Sequence, residues 1–174
     1  MKNLVFLFFN LLIIIVATQR VSAQNPEATA NATASANIIK VISITNDQNL
    51  LFGNIIASAA GGTITVSSDG TSSATYSGIT APTGNEGSRQ AAIFTVEGEL
   101  SATYSITLPS DNVIELTMTG GDPMELVGFS HNASGTLSND TGKEIFNVGA
   151  TLNVNANQAT GTYTGSFPVT VAYN

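Results

Sequence analysis

"GTYTGSFPVTVAY", residues 161–173, is the stretch that decides the fold class of this chain. Its odd-numbered positions after Gly161 carry aromatic residues, valine or glycine, and its even-numbered positions carry mostly hydroxyl-bearing residues. A period of two is typical of a β-strand with one buried face. The stretch therefore predicts one long strand whose apolar face is covered, with an edge or a bulge at Pro168, which has no backbone N–H.

The same alternation recurs along the chain, where Gly, Asn, Asp and Pro interrupt it, and no helical periodicity follows Ala23. About nine or ten short, evenly spaced strands predict an all-β, immunoglobulin-like antiparallel β-sandwich. A bulge is expected at Gly149 within the strand that covers 144–155. The predicted strands are 28–45, 50–56, 63–67, 71–77, 92–97, 102–108, 113–119, 125–130, 144–155 and 161–173.

Three short connections predict hairpins. Asp69-Gly70 suits a type I′ turn, Gly98 stands between two strand-like segments, and "GGDP", residues 120–123, stands between two others. The stretch 78–89 is the longest predicted loop and the most mobile candidate. The apolar positions of the strands predict a core that contains Phe52, Phe94, Val96, Ile106, Phe146, Val169 and Val171.

The first 23 residues have the organisation of a secretory signal peptide. Lys2 precedes the apolar run 4–17, and Val21-Ser22-Ala23 offers small residues for cleavage. The apolar run is shorter than the ~20 residues that a membrane-spanning helix needs. The predicted organisation is a signal peptide at 1–23, an extended segment at 24–37 and a single sandwich domain at 38–174. The predicted location is the periplasm, the medium or the cell surface of a Gram-negative bacterium.

The segment 24–37 alternates without bulk. Every even position from 28 to 36 is alanine, and the residues between are Thr, Asn or Ser. Such a strand suits a shallow groove or a tightly apposed sheet edge, in its own chain or in a neighbouring subunit by strand addition. A weakly ordered first strand and plain disorder remain alternatives at this point.

Charge excludes one class of partner. Without Lys2 and Arg20, three basic residues remain against twelve acidic residues, and the chain contains no cysteine. An acidic chain is repelled by phosphate backbones, so nucleic-acid binding is not expected. The lack of cysteine means that stability in an oxidising compartment must come from the core alone.

The search for catalytic or metal-binding groups gives weak candidates. His131 is the single histidine, and Glu97 and Glu99 are spaced like a glycosidase pair if their strand continues past Gly98. The oxygen-rich stretch 138–144 lacks the EF-hand spacing, and 84–89 lacks the lysine of a phosphate loop. No enzyme activity, cofactor or metal is therefore expected. Sequons for glycosylation start at Asn31, Asn132 and Asn139.

Several motifs resemble an uncharacterised family of secreted bacterial proteins, a domain of unknown function. They span nearly the whole chain after the leader, and no activity follows from that family. The matching motifs are "LLFG" at 50–53, "GGTITVSSDG" at 61–70, "FTVEG" at 94–98, "YSITLP" at 104–109, "FNVGATLNV" at 146–154 and "NQATGTYTGSFPVTVAYN" at 157–174.

The tail also resembles that of spore-coat-U-like proteins and chaperone–usher pilus subunits. Tyr173 is penultimate, Gly161 is fourteenth from the end, and Leu50, Phe52 and Gly53 match an "LxFG" motif. The resemblance implies a fibre subunit that self-assembles by strand addition or binds a periplasmic chaperone. The chain departs from those subunits in having no disulfide, and in carrying alanines where a donor segment carries bulky residues.

Two functions follow as expectations. The first is a secreted structural or surface-interaction protein, including a pilin-like fibre subunit. The alternative is a monomeric extracellular module that binds glycan or protein ligands, for which Tyr76 and Tyr104 are the candidate exposed rings. The residues expected to serve assembly lie in the alanine ladder and the last strand: Ala28, Ala30, Ala32, Ala34, Ala36, Gly161, Tyr163, Phe167, Val169, Val171 and Tyr173.

Overall fold

A computed structural model describes residues 26–71 and 73–174 of the chain, so the predicted signal peptide lies outside the described residues. The described residues form strands and no helix, which confirms the predicted all-β, antiparallel fold. The strands are β1 Ser43–Gln48, β2 Leu51–Phe52, β3 Gly62–Val66, β4 Ala74–Ser77, β5 Arg89–Gln90, β6 Ala92–Glu97, β7 Tyr104–Thr107, β8 Ile114–Leu116, β9 Met124–His131, β10 Lys143–Val154 and β11 Thr170–Tyr173.

The strand β10 organises a seven-stranded antiparallel sheet that curls into a half-barrel. Its first half pairs with β6 and its second half with β3, while β9 lies along its other edge. The strand β1 extends the sheet beyond β6, β4 extends it beyond β3, and β8 pairs with β9. Long β10 therefore joins the two halves of the sheet.

Gly149 marks the irregularity that the sequence predicted in this strand. β10 is one continuous strand, and its register with β9 shifts between Gly149 and Thr151. A side chain at Gly149 would collide with the backbone of Val66 to Ser68, where β3 ends. Glycine at this position therefore lets β3 approach β10 closely, and the predicted irregularity is confirmed.

Two short ribbons complete the fold: β11 pairs with β7, and β2 pairs with β5. The predicted hairpin around Gly98 is wrong, because β6 and β7 do not pair with each other. Both edges of β6 are already occupied, by β1 and by β10. The chain therefore leaves the large sheet after β6, and β7 joins the C-terminal strand instead.

The predicted single strand over 161–173 is wrong in its middle. Thr164 forms an isolated bridge with Thr117, and ladder pairing resumes at Thr170, opposite Thr107. Pro168 lies between these two pairings and has no N–H to donate. The predicted alternation of side chains is confirmed, because Tyr163, Phe167, Val169, Val171 and Tyr173 are half-buried while their even-numbered neighbours are exposed.

The other two predicted hairpin connections, at 120–123 and at Asp69-Gly70, differ in outcome. The β8–β9 hairpin around residues 120–123 is confirmed. The type I′ turn at Asp69-Gly70 is wrong, because Gly70 has a positive φ of 79° and Asp69 does not. Ser67 instead donates its N–H to the carbonyl of Ser73, so a wider loop joins β3 to β4. The Asp69 carboxylate stabilises that loop by accepting from the N–H and the hydroxyl of Thr71.

Two buried clusters form the core. One gathers around Ile64, Leu126 and Leu152, and the other around Phe146, Val96 and Val148. Among the predicted core residues, Phe52, Phe94, Val96 and Phe146 are buried. Ile106, Val169 and Val171 are half-buried and pack against the second cluster. Ile106 and Val171 belong to the two-stranded ribbon of β7 and β11, and Val169 directly precedes it, so no further strand covers them.

The N-terminal part of the described chain is less regular than the alternation predicts. Residues 26–42 carry no strand, and residues 26–41 are exposed, so the predicted strand 28–45 begins at Ser43. Alanine buries little apolar area, which leaves few contacts to offset the conformational entropy of ordering the backbone. The predicted strand 50–56 likewise shrinks to Leu51–Phe52, since Gly53 takes a positive φ of 74°.

Candidate functional site

The residues that the sequence singled out near Gly98 meet the C-terminal tyrosine. The Tyr173 hydroxyl accepts from the Glu99 backbone N–H at 2.7 Å and donates to the Lys40 carbonyl at 2.8 Å. The Glu99 carboxylate accepts from the Lys40 backbone N–H at 2.8 Å. We call this closed set of three hydrogen bonds among Lys40, Glu99 and Tyr173 the Lys40 clamp.

Gly98 leaves room for the Tyr173 ring in the Lys40 clamp. A side chain at this position would overlap the Tyr173 ring and the side chain of Leu137. The Gly98 N–H donates to the Gly142 carbonyl at 2.9 Å, which fixes the turn after β6 against the turn before β10. The turn therefore presents the Glu99 backbone to the tyrosine hydroxyl. The sequence indicated Gly98 as a turn residue, but not as the platform for the last aromatic ring.

Charges surround the Lys40 clamp. Glu97 forms ion pairs with the ammonium groups of Lys40 and Lys143, the former at 3.6 Å. The Lys143 hydrogen bond, together with the positive charges of both lysines, holds the pKa of Glu97 below its usual range. A carboxyl with a lowered pKa is a poor proton donor at neutral pH, which does not suit the general acid of a glycosidase pair. In Glu99, the other carboxylate of that predicted pair, one oxygen accepts a hydrogen bond from the Lys40 N–H.

The remaining catalytic and metal candidates have structural partners. His131 accepts from the Ala133 N–H at 3.2 Å, and its ring makes an edge-to-face contact with the Phe146 ring at a centroid distance of 6.1 Å. In 138–144, the Ser138 hydroxyl accepts from the N–H groups of Asp140 and Thr141. Within 26–71 and 73–174, no group of three His, Asp or Glu side chains is placed to hold a metal ion.

Glu144 organises a second polar network. Its carboxylate accepts from the Tyr104 hydroxyl at 2.8 Å and from the backbone N–H groups of Ser134 and Thr136 at 2.5 and 3.2 Å. It thereby ties the loop after β9 to β7. Tyr104 is buried, at 3% exposure, and its burial followed by its bond to the Glu144 carboxylate raises the pKa of the phenol. The sequence did not indicate this network, because Glu144 stands 40 residues from Tyr104.

A pH prediction follows from Tyr104. Because folding raises the pKa of its phenol above the ordinary value of 10.0, the neutral phenol contributes stability that is fully present below pH 10. That stability should be lost as the pH rises further. Thermal melting from pH 8 to 12 should therefore show a steep fall above pH 10 that is weaker in Tyr104→Phe. An equal fall in both proteins would contradict the assignment to this phenol.

The two rings proposed as glycan platforms are not free. Tyr104 is buried, as described above. Tyr76 is half-buried, accepts from the Arg89 guanidinium at 2.7 Å through its hydroxyl and faces the same guanidinium at 5.9 Å from the ring centroid. Both rings are therefore occupied by neighbours of their own chain. A glycan platform normally needs an exposed ring face.

The candidate assembly residues fall into two separate groups. Ala28, Ala30, Ala32, Ala34 and Ala36 are exposed and belong to no strand. The tail residues lie on the folded domain, where Tyr163 packs against the first core cluster and Phe167, Val169, Val171 and Tyr173 pack against the second. Gly161 is exposed, with a φ of 155° and Met118 directly over it. Their role in assembly stays a prediction.

The domain matches one known family. A family model described as a domain of unknown function, DUF4402, covers residues 42–173. The chain belongs to the DUF4402 family. The matched range of this DUF4402 domain begins two residues after Lys40 and ends at Tyr173, so it contains every strand described above. The resemblance to an uncharacterised family is thereby confirmed.

The other comparisons add no relative to the DUF4402 domain. No curated protein and no solved structure matches the chain. The resemblance of its tail to spore-coat-U-like proteins and pilus subunits stays a prediction. Among the described residues, no helix has the length and apolar character required to cross a membrane.

Proposed function

We propose that this chain is a secreted structural or surface-interaction protein, a pilin-like fibre subunit in which one copy completes the sheet of the next. The observation that carries the proposal is the state of residues 26–37, which we call the arm. The arm is exposed and belongs to no strand, although its sequence alternates strictly. A segment with strand-like patterning and no ladder of its own suits strand addition to another chain.

The receiving edge in this proposal is β11. Among the strands that the structure describes, β11 has β7 as its one partner, so its other edge presents unpaired backbone groups. Val171 and Tyr173 are half-buried, and a strand laid along this edge would cover more of their surface. An open edge attracts pairing, and a specific partner is one way to protect it.

The small residues of the arm agree with this arrangement. The tail of the same subunit already supplies large apolar side chains. Phe167 contacts Phe129 and Phe94 at centroid distances of 5.0 and 6.5 Å. An incoming strand would therefore need backbone hydrogen bonds more than volume, and alanine gives a close approach. A periplasmic chaperone that protects the same edge before assembly is the partner that this proposal implies.

Deletion of residues 26–37 tests the proposal. The secreted protein should form head-to-tail oligomers by light scattering and fibres by electron microscopy, since each copy offers both an arm and an edge. The deletion variant should stay a monomer, and a synthetic peptide of residues 26–37 should bind it. A variant with the arm replaced by a Gly/Ser segment of equal length is the matched control. A wild-type protein that is monomeric at every concentration would contradict the proposal.

A monomeric binding module for protein ligands is the second candidate. Large apolar side chains are exposed on both sides of Lys40 in the sequence and on β10, with Ile38 at 96%, Val41 at 78% and Ile145 at 69% exposure. Exposed apolar groups with a charged rim are typical of protein-binding surfaces. In this case a protein ligand should bind the arm-deleted protein and the wild type equally, and Ile145→Asp should weaken its binding.

A further inference from the structure

One corner of the large sheet carries lysines on its outer face. The even-numbered residues of β10 face the core, so the odd-numbered residues Lys143 and Ile145 face outward. Glu97 pairs with the ammonium groups of both Lys40 and Lys143, whose side chains are still 53% and 50% exposed. Ile145, on the same outer face, is 69% exposed. We call Lys40, Lys143 and Ile145 the lysine corner.

Another corner of the same sheet carries two carboxylates that face each other. Glu115 on β8 pairs directly with Glu125 on β9. Their strand neighbours Leu116 and Leu126 pack in the first core cluster, so both carboxylates lie on the outer face. Like charges directly opposite in an antiparallel pair are destabilising. Val113, which precedes Glu115 by two residues, is 66% exposed. We call Val113, Glu115 and Glu125 the acidic corner.

The basic residues of the domain are bound elsewhere. After residue 23 they are Lys40, Arg89 and Lys143. Both lysines pair with Glu97, and the Arg89 guanidinium donates to the Tyr76 hydroxyl. In the part of the chain that the structure describes, neither carboxylate of the acidic corner has an ion-pair partner. The cations that fit this corner are therefore those of another molecule.

The two corners lie too far apart to meet within one chain. Leu152 pairs with Leu126 beside the acidic corner, and it follows Lys143 on β10 by nine residues, or about 30 Å. The sheet curls around the core, so its outer face is convex. Two convex faces touch over one area, so a symmetric back-to-back pair cannot join both corners at once. A lysine corner on the acidic corner of the next copy is a heterologous contact, which leaves one corner of each kind free to continue.

We propose that the lysine corner of one copy docks on the acidic corner of a second copy. Charges of opposite sign then meet, and each corner brings one exposed aliphatic side chain, Ile145 or Val113. This inference rests on the proposed assembly of copies, to which it adds a contact outside the arm. Exposed ion pairs contribute little to affinity, so the contact alone holds copies together only at about millimolar concentration. At low micromolar concentration, a protein without its arm stays a monomer.

Charge exchange tests the contact separately from the arm. The protein for this test carries the Gly/Ser segment in place of the arm, which belongs to no strand, so the ladders of the domain remain. Sedimentation equilibrium up to about 1 mM should show association that about 1 M NaCl weakens. Glu115→Lys with Glu125→Lys should lower the association constant by at least about tenfold, because lysines then face lysines. Lys40→Glu with Lys143→Glu should lower it similarly, because carboxylates then face carboxylates.

Mixing the two double variants is the decisive measurement. In an equimolar mixture, every contact between unlike variants joins opposite charges again, so the association should return. Asp69→Lys with Glu86→Lys is the matched control, since it changes the net charge equally in two loops and should leave the association unchanged. Melting temperatures check that each variant is folded. The amide chemical shifts of Ile145 should change with protein concentration, which locates the contact.

The outcomes separate this contact from strand addition. An association that both double variants retain, or a mixture that does not regain it, would overturn the docking and leave the lysine corner to a different protein. A protein without its arm that is still monomeric at about 1 mM would also overturn it. Neither result touches the arm-dependent oligomers of the wild type. Conversely, loss of those oligomers with the charge-dependent association retained would contradict strand addition and support the docking of the corners.

Discussion

Truncation of Phe146 to alanine is expected to lower the free energy of unfolding by about 3–5 kcal/mol. Phe146 is 1% exposed and lies in β10, the strand that both halves of the large sheet share. Its ring stacks on Phe94 at a centroid distance of 5.7 Å and makes an edge-to-face contact with the His131 ring. The cavity left by the missing ring would lie between paired strands, where the backbone has little freedom to collapse.

The adjacent residue supplies the control for this prediction. Ile145 points away from the core, with 69% of its surface exposed, and Ile145→Ala should cost less than about 1 kcal/mol. Urea titration of both variants and of the wild type, followed by circular dichroism, measures the two free energies. Similar costs for the two substitutions would mean that the facing of β10 is inverted.

Replacement of Glu144 by alanine is expected to cost about 2–3 kcal/mol, because hydrogen bonds to a charged acceptor are among the stronger ones. The substitution removes the acceptor of the Tyr104 hydroxyl and of the Ser134 and Thr136 amides. Tyr104 is buried, so its hydroxyl has little access to water as a replacement. The loop after β9 should lose its attachment to β7 at the same time.

Glu115→Ala is the matched control, since Glu115 is an exposed carboxylate on β8. Urea titration should show a change within about 0.5 kcal/mol for this variant. Hydrogen exchange should accelerate at the Ser134 and Thr136 amides in Glu144→Ala and stay unchanged in Glu115→Ala. Unchanged exchange at both amides would show that the carboxylate does not hold the loop in solution.

The alternation of the last segment illustrates how far a pattern reaches. It predicted which side chains of 161–173 face the core, because a period of two is a local property of an extended backbone. It did not predict where the ladder breaks, because pairing depends on which edge lies next to each residue. Thr164 meets Thr117, and Thr170 meets Thr107, so the segment passes from one sheet to another across Pro168.

The alternating alanines at 28–36 show the opposite limit of a sequence pattern. Their period is as regular as that of the tail, yet residues 28–36 form no strand in the described chain. Periodicity describes which residues would share a face, whereas pairing needs enough buried area to offset the entropy of ordering. Methyl groups provide little of that area, so the same period has different outcomes at the two ends.

The sequence by itself determined the fold class, the antiparallel strands, the aromatic core residues and the irregularity at Gly149, because these follow from local periodicity, composition and glycine geometry. Tertiary structure alone decided the exchange of partners after β6 and the meeting of Lys40, Glu99 and Tyr173, whose bonds span 59 to 133 positions of the chain. The physical reason is that strand edges and side-chain hydrogen bonds are satisfied by whatever folding brings near, and no local pattern encodes that neighbour.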